Sequence, residues 1–215
     1  MYEPPLHKKE SLEAQHALIR SQPLGVLVSK GPDGLEANAI PFLIDASASK
    51  LGTLRAHMAR ANPQWRSLGA ADEALVVFQG PDRYISPNWY ATKRDTGKVV
   101  PTWNYVMVQA RGRPRVIEDP EWLRAQIEEL TRTHEGRRPA PWAVSDAPAD
   151  FVAMQVKAIV GVEIEIARIA GKWKASQNRP AADREGVIEG LTAEGEPMAL
   201  DMAEIVRGES GKVSE

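Results

Sequence analysis

Residues 24–44 read LGVLVSKGPDGLEANAIPFLI. Leu24-Gly25-Val26-Leu27-Val28 is a short apolar strand, Gly31-Pro32-Asp33-Gly34 is a turn, and Ala37 to Ile44 returns as a second strand. This is a β-hairpin, the unit from which antiparallel sheets are built. On its N-terminal side, Ser11 with Glu13 and Ala14 behind it starts a helix to Arg20, with Leu12, His16 and Ile19 on one face and Pro23 beyond its end. On its C-terminal side a second hairpin is expected. Its strands are Leu51 to His57 and Ala74 to Phe78, the latter apolar enough to be central, with a short helix from Met58 to Leu68 between them.

Further along, a polar, aromatic-rich stretch runs from Gly80 to Gly97. Tyr105 to Val116 alternates as a strand in which Gly112 marks a bulge. Asp119-Pro120-Glu121 combines an N-cap, a proline at the first helical position and an acid at the positive end of the dipole, so a helix to about His134 follows. Asp146-Ala147-Pro148 opens another, with Phe151, Met154, Ala158 and Ile159 on its packed face. Val162 to Ile169 alternates as a half-buried strand, Pro197 to Val206 is a modest helix, and Gly208 to Glu215 is a polar end that frays. Strands in hairpins with helices added late predict a mainly β fold, an antiparallel barrel with appended α-helices, rather than a parallel βαβ sheet. No repeat or low-complexity linker divides the chain, so residues 1–206 are expected to form a single domain and 207–215 a tail.

Composition narrows the function. The 215 residues are 43% hydrophobic and 26% charged, ordinary for a globular protein, and the net charge of −2 offers no excess of cations for a phosphate backbone. There is no cysteine for disulfides, thiolate chemistry or metal ligation. The opening Met1-Tyr2-Glu3-Pro4-Pro5 lacks the layout of a signal peptide, and no apolar run approaches a membrane span, so a cytoplasmic location without membrane insertion is expected. The histidines at 7, 16, 57 and 134 have no metal-site spacing, and no metal is expected. The nucleophile elbow, the P-loop and the Rossmann fingerprint are all missing.

Three stretches are unusually polar and aromatic: His57 to Trp65, Tyr84 to Asn104, and Gly171 to Arg179. They hold Trp65, Trp89, Trp103 and Trp173, four of the six tryptophans, and such clustering points to a planar ligand. The hydroxyls, amides, lysine and indoles of the middle stretch suit the edge and faces of a flavin ring. An ordered surface loop covering the barrel accounts for it equally well. His57, Arg60 and Asn62 stand where a strand runs into a helix, a place suited to a phosphate; for His57 alone a structural histidine is the stronger reading. Lys172, Lys174 and Arg179 with Ser176, Gln177 and Asn178 make either a binding segment or a solvated basic turn.

Taken together, the blocks HMARANPQW from His57, VFQGPDRYISPNWY from Val77, VVPTWNY from Val99, PW from Pro141 and GKWKASQNR from Gly171 resemble the PaiB-type FMN-binding negative transcriptional regulators. The resemblance runs from Met1 to about Val206 and includes the opening Met-Tyr-x-Pro. It implies the FMN-binding split-barrel fold, FMN as cofactor, and a homodimer with cofactor sites along the subunit interface. It maps the phosphate onto His57, Arg60 and Asn62, with Arg60 foremost. It assigns the ring and ribityl chain to Ser86, Trp89, Lys93, Thr102, Trp103 and Asn104, and closure of the pocket to Trp173, Lys174, Ser176 and Gln177. A lysine near the pyrimidine edge would favour the reduced flavin by charge attraction. Where the family commonly carries histidine this chain has Ala39, so any role of that imidazole is absent.

The implied function is negative transcriptional regulation. Direct DNA contact lacks a helix-turn-helix signature or a basic stripe, Arg132, Arg137 and Arg138 being the one local cluster outside the pocket. The alternative is a flavin-dependent oxidoreductase using NAD(P)H and a small substrate, with no residue identifiable as catalytic acid or base. A different flat ligand such as haem would need His57 as its axial ligand.

Overall fold

The hairpin that opens the reading is present in a computed structural model, which describes residues 1–210. After a turn at Pro5–His7 come β1 (Lys8–Lys9), α1 (Leu12–Ser21), β2 (Leu24–Gly31), β3 (Gly34–Asp45), β4 (Thr53–Ala59), α2 (Gln64–Ala70) and β5 (Ala74–Ile85). A turn at Pro87–Trp89 leads to α3 (Thr92–Thr96), β6 (Thr102–Gly112), β7 (Pro114–Ile117), α4 (Pro120–Glu135) and α5 (Ala149–Lys157). The chain ends with β8 (Ile159–Glu165), β9 (Arg168–Lys174), α6 (Ala181–Glu194) and α7 (Pro197–Ser210). The strands are hydrogen-bonded in the order β1-β9-β6-β5-β2-β3-β4-β8-β7, which among the described residues does not return on itself. Antiparallel pairing with appended helices is the expected class. No helix of the described residues is long and apolar enough to cross a membrane.

The chain divides into two compact units, with boundaries inside α1, β5, β6 and β9. Unit 1 comprises Met1–Gln15, Gln79–Val108 and the segment from Ala170 onward; unit 2 comprises His16–Phe78 and Gln109–Ile169.

In unit 2 the β2–β3 hairpin closes with Gly31 opposite Gly34, whose φ of +121° is open to glycine alone among ordinary residues. The expected second hairpin does not form. Its two strands exist, but β4 pairs with β3 (Phe42 opposite Ala56) and with β8 (Ala56 opposite Val162), whereas β5 pairs with the far edge of β2 (Leu27 opposite Val76). Apolar patterning marks a strand; the free sheet edge selects its partner, and a connection containing α2 is long enough to reach either edge. Leu27, Ile40, Phe42, Leu54, Ala56, Val76, Phe78, Val162 and Ile164 are buried, and Phe42 meets Phe78 edge to face at 5.8 Å.

Other expectations shift for identifiable reasons. Tyr105 to Val116 is two strands broken at Arg113. A Cβ on Gly112 would lie 1.9 Å from the carbonyl oxygen of Glu165, so this glycine permits a close backbone approach. Val162 to Ile169 is likewise two strands, because at the corner Ile166 and Ala167 donate to the carbonyls of Gly52 and Arg111 instead of continuing the ladder. The cap on α4 is as read, Asp119 accepting from the Glu121 amide at 3.0 Å. On α5, however, Val152 and Val156 pack with Leu123, Val144 and Trp122, while Phe151 and Met154 are 47% and 56% exposed. Ala158 is also exposed, and Ile159 alone of the expected stripe joins the core. Both stripes have helical spacing, and the position of α4 chooses between them.

In unit 1, α6 is absent from the sequence reading because Gly186 and Gly190 dilute its helical signal. Both glycines face Trp89: a Cβ on Gly186 would lie 2.0 Å from the Trp89 carbonyl oxygen, and one on Gly190 would lie 2.3 Å from the indole. The tryptophan lies in the groove they leave. The helix expected to end at Val206 continues to Ser210, and the remainder of the expected tail lies outside the described residues.

Replacing Gly186 by Ala should therefore lower unfolding stability by about 1–3 kcal/mol through overpacking, despite alanine's better helix propensity. Gly208 on α7 has nothing within 4 Å of its Cβ position, so Gly208→Ala should be neutral or stabilising by up to about 1 kcal/mol. Urea unfolding of both variants checks the pair; equal effects would contradict the packing of Trp89.

Candidate functional site

The chemistry of unit 1 begins with alternation along β6. Asn104, Val106 and Val108 are buried on one face, and Trp103, Tyr105 and Met107 occupy the other. On β9 the residues Lys172 and Lys174, two apart, share a face. The Lys174 ammonium donates to Thr102 Oγ1 and, at 2.8 Å, to the Trp103 carbonyl oxygen. Burial holds Lys174 below the usual lysine range, and the charges of Lys172 and Arg179 push the same way against Tyr105. Tyr84 meets Trp103 edge to face at 6.1 Å.

Beyond β9 the chain turns sharply. Ser176 is the one non-glycine residue with positive φ, +61°, among the described residues, and its hydroxyl accepts from the Asn104 amide at 2.9 Å. Asn104 is only 1% exposed, so this partner is what makes its burial tolerable. Gln177 ties the turn together, donating to the Trp173 carbonyl at 2.6 Å and accepting from the Ala175 amide at 2.7 Å. Its Oε1 also stands 3.0 Å from His7 Nδ1, so that nitrogen carries the proton. Burial lowers the His7 pKa, with Lys174 and Lys172 adding to the effect and the Gln177 bond opposing it. The basic segment is thus a fixed turn rather than a solvated one. Trp173 is buried on the opposite face, its ring beneath Lys9 Nζ at 5.5 Å.

Ser86, Trp89 and Lys93 form a second group in unit 1. Ser86 Oγ accepts from the Asn88 amide at 3.2 Å, Lys93 donates to Asn88 Oδ1, and Trp89 is held by the glycines of α6. Asp183 of α6 fixes the same segment, accepting from Thr92 N and Oγ1 at 2.9 Å each. Asp183, His7 and Tyr105 are not among the candidate site residues that the sequence singles out. His7 could have been noticed from its closeness to the opening Met-Tyr-x-Pro.

Unit 2 holds His57, Arg60 and Asn62. Arg60 is occupied: its guanidinium pairs with Glu118 and donates to the carbonyls of Lys157 at 3.1 Å and Ile159 at 3.3 Å. Its own carbonyl accepts from Trp65 Nε1 at 2.9 Å. Asn62 Oδ1 accepts from the Gln64 amide at 3.0 Å, an Asx turn that opens α2. His57 Nδ1 is buried and has no hydrogen-bond partner among the described residues. Ala39, opposite Val26, is exposed, whereas neighbouring Asn38 points to the other face and donates to Gln64 at 2.9 Å.

Burial keeps the His57 pKa below its ordinary value. The unfolded chain then takes up a proton near its ordinary pKa of about 6.5 before the folded chain does, so stability present above that pH is lost as the pH falls towards the folded value. Thermal unfolding followed between about pH 7 and pH 5 should show a shallower loss in His57→Gln than in the parent chain. Identical slopes would mean that His57 titration is uncoupled from folding.

Residues 1–168 match the family described as "Putative FMN-binding domain". An uncharacterized protein of Aspergillus fumigatus is 36% identical, with 96% of this chain and 97% of the relative covered. "Protease synthase and sporulation protein PAI 2" of Bacillus subtilis is 31% identical, with 96% of each covered. Among solved structures, the flavocytochrome Anf3 from Azotobacter vinelandii has a TM-score of 0.56 at 13% identity, over 77% of this chain and 68% of that one. The FAD and haem binding protein from Mycobacterium smegmatis has a TM-score of 0.58 at 18% identity, over 78% and 73%. These likenesses show a shared fold. Matched along most of its length, the chain belongs to the PaiB-type FMN-binding domain family, whose cofactor is FMN.

Proposed function

We propose that the chain is a homodimeric redox flavoprotein in which the residues gathered around Lys174 hold FMN. The observation that carries this reading is the Lys174 ammonium, half-buried and bonded only to neutral oxygens, beside Lys172 and Arg179. None of the three has a carboxylate partner among the described residues, so a negative group of a ligand would offset their mutual repulsion. Thr102 and Trp103 line the site, Asn104, Ser176 and Gln177 fix the turn that follows Lys174, and the Ser86, Trp89 and Lys93 group supplies another indole and cation. Trp173 supports the turn from behind. When bound, the flavin supplies a ring that accepts and returns electrons; the protein positions it and sets the surrounding charge. In unit 2, Arg60, with His57 and Asn62, is proposed to bind a phosphate group. Among the described residues, three of the guanidinium's five N–H donors are engaged.

A second copy is proposed to cover the outer face of β2 and β3. Leu24, Val26 and Leu35 there are exposed beside Ala37 and Ala39, a contiguous apolar sheet face of the kind that marks an interface. The second functional reading, negative transcriptional control, is favoured by the likeness to PAI 2 along nearly the whole chain.

Purified protein should be yellow with an FMN spectrum, and NADH or NADPH should bleach it with turnover. A stable flavin together with salt-sensitive promoter binding would favour the regulator instead. Lys174→Met and Arg60→Ala should each weaken FMN retention by roughly tenfold or more, the worth of a charge-assisted contact. Unchanged FMN affinity in either variant defeats that residue's assignment. Val26→Lys should convert a dimer into a species near the chain mass of 23.6 kDa by light scattering, and a parent chain already at that mass would refute the dimer.

A further inference from the structure

The face of β6 opposite Asn104 carries a second feature. A cavity of about 530 Å³ in unit 1 is lined by Tyr2, Trp103, Tyr105, Met107, Lys172 and Asp82. Lys172 is only 7% exposed, yet its ammonium stands 5.4 Å from the Tyr2 ring and 5.2 Å from the Tyr105 ring, with no carboxylate partner among the described residues. Aromatic faces recover part of the hydration lost by a buried ammonium, and an anion recovers more. Lys174 stands on the same strand face and strengthens the positive field; both lysines depress the His7 pKa. Asp82 accepts from Gln79 at 3.0 Å and suits a hydroxyl donor.

We propose that this cavity binds a hydroxylated aromatic carboxylate, its ring against Tyr2, Trp103 and Tyr105 and its carboxylate on Lys172. A planar anion is selected over an aliphatic one because three aromatic side chains wall the cavity, and over a neutral aromatic because Lys172 lacks a counter-charge. The proposal deepens the flavoprotein reading by naming the class of the second reactant, and it rests on that reading for the role alone.

The test is calorimetric titration of the full chain, loaded with FMN and checked by its flavin absorbance, with 4-hydroxybenzoate and in parallel with neutral 4-hydroxybenzamide. The acid should bind about tenfold tighter or more, and Lys172→Met, compared with the parent chain at matched FMN loading, should reduce the preference to about twofold or less. Equal affinities in the parent chain, or a preference that survives Lys172→Met, would overturn the site. Release of FMN during the titration would also overturn it, since the cavity would then be the flavin's own. Should Lys172→Met fail to fold, Tyr2→Ala, at an 81% exposed position, should weaken both compounds about threefold or more while keeping their ratio. No change in either affinity would count against the site. A chain that takes up no FMN defeats the flavoprotein reading alone, and the preference for acid over amide, measured on that same chain, still decides the cavity.

Discussion

Successive side chains of an extended strand must point to opposite faces, and in β6 this constraint separates structure from chemistry. Asn104, Val106 and Val108 go into the interior of unit 1, and Trp103, Tyr105 and Met107 are left on the face towards which β9 presents Lys172 and Lys174. A slip of one residue would bury Trp103 and Tyr105 and strand Asn104 away from Ser176. The Asn104–Ser176 bond and the contacts of Lys174 with Thr102 and Trp103 therefore lock the register of β6 against the turn after β9. The positive φ of Ser176 is tolerated because buried partners hold the turn from several sides.

The cations at and just after β9 are partnered differently from most others, including Arg83 of unit 1, which pairs with Glu194 and Glu196. In unit 2 Arg55 pairs with Glu129, Arg60 with Glu118, and Arg111 and Arg168 share Glu73, whose carboxyl is thereby held below the usual range. Lys172, Lys174 and Arg179 of unit 1 rest instead on ring faces or neutral oxygens. Exposed pairs add little stability, whereas cations left without acids in a partly buried setting create a local positive field that a ligand can answer.

Much of the fold was legible because its signals are local. The Gly31–Gly34 turn, the Asp119-Pro120 cap and the alternation of β6 each depend on a few adjacent residues and on backbone stereochemistry. The β4–β5 pairing failed because patterning does not say which edge a strand joins. The α5 stripe failed because two stripes fit one period, and α6 was missed because its glycines are explained by Trp89, nearly a hundred residues away in the chain. The site was legible as a set of blocks, but their internal contacts were not. Nothing local to Arg60 announces Glu118, and nothing local to Lys172 announces the rings of Tyr2 and Tyr105.

By itself the sequence determined the antiparallel class, most of the helices and strands, the absence of cysteine chemistry and the family, since these follow from residue type and short-range spacing. Tertiary structure alone decided which strand edges meet, which helix faces are covered, and which cations are left without acids. Those outcomes depend on distances between segments far apart in the chain, and such distances arise only when the backbone closes its hydrogen bonds and the core is packed.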